Sequence, residues 1–141
     1  DAVGVRLPDA GVLRPATPPP DFDLDQAVHS LHKFAARRPS GIALAHYGLL
    51  PDPEVLLEEA EATLRSWAET AERAFREGRD IALALEDRYR FDTSHVPDEY
   101  REKLEVLNGF HSNAAGLRRW LETRSSAGTL GASGAAGQSD R

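Results

Sequence analysis

The sequence predicts an α/β arrangement over residues 1–50 that passes into a mainly α-helical part over residues 51–124. Three observations carry this expectation. Ile42-Ala43-Leu44-Ala45 is a short apolar run between Pro39-Ser40-Gly41 and Gly48, the pattern of a buried central strand. An amphipathic helical pattern precedes it, and from residue 51 onward apolar residues recur at three and four positions almost without interruption. With 141 residues and 40% hydrophobic content, the chain is long enough to bury a core.

Residues 1–20 are rich in Gly and Pro and close on Thr17-Pro18-Pro19-Pro20, which suits an extended surface segment with few backbone donors. A plain spacer and a substrate-facing loop fit it equally. Asp23 is a good N-cap for a helix with Leu24, Val28, Leu31 and Phe34 or Ala35 on its apolar face and Arg37 and Arg38 in its last turn; Pro39 stops it. A helix placed between strands implies a crossover, and so a parallel or mixed sheet covered by helices.

Asp52-Pro53-Glu54 combines a capping side chain, a proline at the first helical position and an acid in the first turn. The helix it opens has Leu57, Ala60, Leu64, Trp67, Ala71 and Phe75 on one stripe, with charged residues such as Glu58, Glu61 and Arg65 opposite, and ends at Gly78. Asp80 caps a shorter helix containing Ile81, Ala84, Leu85 and Tyr89, and Phe91 to Val96 reads as a linker. Pro97 opens a last stretch, through Tyr100, Leu104, Leu107, Phe110, Ala114, Leu117 and Leu121, which Asn108-Gly109 breaks or kinks. Beyond Arg124 the composition is Ser, Gly and Ala, so residues 125–141 are expected to form a disordered tail.

A formal charge of −6, from 23 acidic against 17 basic residues, argues against a nucleic-acid surface. No run approaches the roughly 20 apolar residues that cross a bilayer, and no N-terminal signal is visible, so a cytoplasmic protein with no membrane partner is expected. The chain has no cysteine, which leaves His, Asp and Glu as the metal ligands available. It also has no methionine, and Asp1 leads directly into Ala2-Val3-Gly4-Val5, so it reads as the C-terminal part of a longer protein.

Five histidines are candidates for chemistry. His29 and His32 are three apart on one helix but lie off its core stripe, while His95 falls in the linker and His111 in the last helical stretch; all four suit surface or partly packed positions. His46 stands apart, at the exit of the apolar strand beside a glycine turn, where active-site groups collect. Tyr47 is either a substrate-facing or a packing residue, and Trp67 and Trp120 belong to core stripes. Arg101, Lys103, Arg118 and Arg119 suit a solvated helix face better than a basic edge for an acidic substrate.

Asp1-Ala2 stands as a Gly-Asp-small turn without its glycine. Ala43-Leu44-Ala45-His46-Tyr47-Gly48 is an apolar strand ending in a histidine, then an aromatic and a glycine, and the helix from Leu24 to Arg38 lies between the two motifs. In this order and separation, the first 50 residues resemble the C-terminal half of metallo-β-lactamase-fold hydrolases, the group that includes glyoxalase II-like thioesterases. The resemblance implies an αββα fold, with Asp1 bridging two divalent metal ions and His46 as the last histidine ligand; zinc suits such donors, with iron or manganese as alternatives. It implies attack of a metal-bound hydroxide on an ester, thioester, lactone or related bond of a small-molecule substrate, with no catalytic residue beyond the metal ligands. Residues 51–124 would form a helical subdomain that shapes the pocket or a homodimer interface. In such enzymes a His-x-His-x-Asp-His signature and a further histidine precede the bridging aspartate, and neither is in this sequence, so the chain alone is expected to be inactive. The rival expectation is a helical interaction module without catalysis, docking a partner helix along Leu57, Leu64, Trp67, Ala71 and Phe75.

Overall fold

Helix α2, Pro53–Arg76, is the spine of the computed structural model, which describes residues 2–6, 11–46 and 48–134, with side chains to residue 127. The element order is β1 (Val5–Arg6), β2 (Leu13–Arg14), α1 (Leu24–Ala36), β3 (Ile42–Ala43), β4 (Leu49–Leu50), α2, α3 (Ile81–Tyr89), a 3-10 turn (Arg90–Thr93), α4 (Asp98–Asn108) and α5 (Phe110–Gly134). The described residues form a mixed, mainly helical structure with two small antiparallel strand pairs, β1 with β2 and β3 with β4.

The apolar stripe of α2 serves two cores. Its first turns, through Leu56, Leu57, Ala60 and Leu64, pack with Val28 and Leu31 of α1, Leu13 of β2 and Leu44. Its second half, through Trp67, Ala68, Ala71 and Ala74, packs with Ile81 and Leu85 of α3 and with Phe110, Leu117 and Trp120 of α5. Trp67 is central, its ring stacked at 5.2 Å on Tyr89 and at 5.4 Å on Phe110. Small residues at 68, 71 and 74 let α3 and α5 approach the α2 backbone while Trp67 fills the remaining volume. The interaction-module reading needs this stripe free; it is buried inside the chain's own fold.

Capping follows the sequence at two helices and departs from it at a third. Asp23 accepts from the Gln26 amide and Asp80 from the Leu83 amide, both at 2.9 Å. Asp52 makes no such bond, because its backbone is left-handed, with φ 57°, and not in the extended conformation from which a side chain reaches back to the first turn. Gly109, at ψ 161°, breaks the last helical stretch into α4 and α5. Leu107, expected on the apolar stripe, is exposed, as is Val106 beside it. Helix α5 runs on past the expected end at Arg124, and the Ser125 and Ser126 hydroxyls each donate to the carbonyl four residues earlier.

The proline-rich segment is not a surface spacer at its start. Residues 13–15 and 17 are buried, Leu13 against α1 and α2 and Arg14, Pro15 and Thr17 against α4 and α5. Thr17 donates its N–H to Asn113 Oδ1 at 2.7 Å and its hydroxyl to the same side chain or to the Asn113 carbonyl. Asn108 donates to the Pro15 carbonyl at 2.9 Å. Arg14, 4% exposed, meets Glu105 at 2.5 Å and lies 4.3 Å over the Phe110 ring. These contacts strap the chain before α1 onto the last two helices, and Gly116 of α5 supplies the clearance, since a Cβ there would overlap the Thr17 carbonyl.

The expected central strand also takes a different form. Among the described residues, Ile42 pairs with Leu50 and Ala43 with Leu49 in an antiparallel hairpin, in place of a parallel crossover. A run of four apolar residues beside a glycine turn fits a hairpin arm as well as a central strand. Only Leu44 of this run is buried.

Candidate functional site

His46 sits exposed in the turn of the β3–β4 hairpin. The Leu44 N–H donates to the Gly48 carbonyl at 3.1 Å across that turn, and Gly48 closes it at φ 94°, a backbone conformation that glycine adopts without a Cβ penalty. Leu44, two residues before His46, plugs into the core beside α1 and α2. The turn is thus held by a hydrogen bond at its mouth and an apolar anchor on one arm. Asp1 and Tyr47 lie outside the described residues.

A cleft of about 370 Å³ runs between residues 2–4 and 41–45, and Phe34, Arg37 and Pro39 complete its lining. Ala2 and Ala45 therefore face one shared space, and each is the immediate chain neighbour of a predicted ligand, Asp1 in one case and His46 in the other. No family model, curated protein or solved structure matches the chain.

The other histidines are spread over the surface. His29, His32, His95 and His111 are all exposed. His32 points across to α2, its Nε2 2.7 Å from Glu61 Oε2, and Arg65 donates to the other oxygen of Glu61 at 2.8 Å. The Arg65 hydrogen bond first, and the His32 bond second, hold the Glu61 carboxyl below its ordinary value of 4.5. His32 and Glu61 border a larger cavity of about 730 Å³ at the α1–α2 crossing. Sequence spacing pairs His32 with His29, whereas its partner is 29 residues away on the neighbouring helix, which no local pattern reveals.

Among the described residues, no three His, Asp or Glu side chains converge as a metal site. A neutral imidazole on an exposed turn is a suitable single ligand for zinc or iron. One such donor falls short of the about four that zinc takes. The basic residues of the last helices behave as a solvated face: Arg101 pairs with Asp98 and Lys103 with Glu99, while Arg118 and Arg119 are exposed.

Among the described residues, no helix is long and apolar enough to cross a membrane. Its sequence position marks Arg37 only as a helix-end cation, yet among the described residues it is the one charged side chain lining the cleft beside His46.

Proposed function

We propose that this chain is the C-terminal part of a metal-dependent hydrolase of the αββα metallo-β-lactamase type. It acts on an ester, thioester, lactone or similar bond of a small molecule in the cytoplasm, with Asp1 and His46 among the metal ligands. The observation that supports this reading best is the common cleft lined by Ala2 and Ala45, the neighbours of those two residues. Two divalent ions, zinc with iron or manganese as alternatives, would supply polarisation of the substrate carbonyl and activation of the attacking water.

The chain's own contribution is positional. The hairpin presents the His46 imidazole from a turn pinned by Gly48 and Leu44, which limits the freedom lost when a ligand is fixed. Helices α2 to α5 carry that hairpin on a packed support and offer surfaces for a pocket wall or a homodimer. The remaining donors belong to residues outside this sequence, so the chain alone has no hydrolytic activity. The gene upstream of Asp1 tests the reading. A glycine codon immediately before Asp1 and a His-x-His-x-Asp-His further upstream are expected; a start codon within a few residues would refute it.

A further inference from the structure

The geometry points to a substrate that carries a carboxylate on a small apolar acyl group, bound in the cleft between residues 2–4 and 41–45 with its carboxylate on Arg37. This deepens the hydrolase reading and rests on it for the identity of the reacting bond. The cleft, at about 370 Å³, lies at the small end of ligand-sized pockets, and its wall is built from Val3, Phe34, Pro39, Ile42 and Leu44 together with glycine and alanine. Among the described residues, Arg37 is the one charged side chain that lines it. Among the described residues, the Arg37 guanidinium has no ion-pair partner, although its chain has 23 acidic residues to draw on. Arg37 caps α1, and its backbone N–H is tied to the carbonyls of Phe34 and Ala35, so the stem of the side chain starts from a fixed point.

An apolar wall with one exposed guanidinium, unpaired among the described residues, favours a ligand with an apolar body and a planar anion. A cationic ligand meets repulsion, and a neutral one forms no charge-assisted pair with the guanidinium. The described lining reaches Ala45, one residue before His46, so an acyl group lying along it directs its carbonyl end toward the hairpin turn and its carboxylate toward the end of α1. The carboxylate is thereby held away from the reacting bond, as an anchor and not as a participant.

Binding, with no metal and no turnover, tests this directly. The uniformly ¹⁵N-labelled 141-residue chain is titrated with hexanoate and, separately, with hexanamide, following the amide signals of Ala43, Leu44 and Ala45. Hexanoate is expected to shift these signals saturably and to bind about tenfold more tightly than hexanamide. Arg37→Gln should erase that preference, and Arg37→Lys should retain part of it with the same spectral dispersion, which shows that the fold is intact. Equal binding of the two compounds, a preference that survives Arg37→Gln, or no shift at all overturns the inference. None of these outcomes bears on whether His46 holds a metal, so this inference and the hydrolase reading can fail separately.

Discussion

Replacing Gly116 by alanine sets helix propensity against packing, and the two effects carry opposite signs. In an isolated helix, Gly→Ala stabilises by about 1 kcal/mol. Here the Thr17 carbonyl oxygen would overlap the new Cβ, and its carbonyl carbon would stand at 2.8 Å, against the 3.4 Å at which ordinary contact begins. Helix α5 cannot yield, since Ala114, Leu117 and Trp120 are buried on α2 and α3, so the strap must lift. Lifting it separates Thr17 from Asn113. The Thr17 hydroxyl has one proton, so two hydrogen bonds are lost together: the amide bond of 2.7 Å and one of the hydroxyl bonds of 2.8 and 3.0 Å. At about 1–2 kcal/mol for each buried pair broken, less the propensity gain of about 1, the net loss is about 2 kcal/mol. Urea unfolding of Gly116→Ala beside wild type measures it. A midpoint equal to or above wild type would refute the claim that residues 14–18 are strapped to α5.

Further outcomes follow from single residues. Asp80→Ala should cost about 1 kcal/mol in the same unfolding assay by removing the cap on Leu83, whereas Asp52→Gly should be neutral or slightly stabilising, because Asp52 makes no cap and occupies a left-handed conformation. Trp67→Ala should cost about 3–5 kcal/mol and abolish the near-ultraviolet circular dichroism of the aromatic stack. Glu61 is held below its ordinary value by Arg65 and His32, so its contribution to stability is complete above about pH 4.5 and is lost as pH falls through its lowered folded value. Stability measured between pH 6 and pH 3 should therefore fall less steeply in Glu61→Gln than in wild type; parallel curves would remove the trio from the account of acid sensitivity.

The helices were legible because their signals are local. Asp23 and Asp80 announce starts, Gly78 and Gly109 announce stops, and the stripe from Leu57 to Ala71 declares which face of α2 is buried. The strap was not legible, because Arg14, Pro15 and Thr17 look like surface residues until partners more than 90 positions later cover them. Two signals did point to it: Asn113 is a polar residue on an otherwise apolar stripe, and Gly116 stands inside a helix without a local reason. The hairpin was misread for a different cause, since a four-residue apolar run has too few periods to distinguish one buried face from two. For the site, sequence order singled out Asp1 and His46, and only three dimensions put Ala2, Ala45 and Arg37 around one space.

The most direct measurement of the central claim is metal content of the full-length gene product, by inductively coupled plasma mass spectrometry, for wild type and His46→Ala after identical purification. The expected result is close to two divalent ions per wild-type chain and a clear fall in His46→Ala, with hydrolysis of small esters or thioesters falling alongside. Equal metal content and equal hydrolysis in the two proteins would contradict His46 as a ligand and, with it, the hydrolase assignment of this chain.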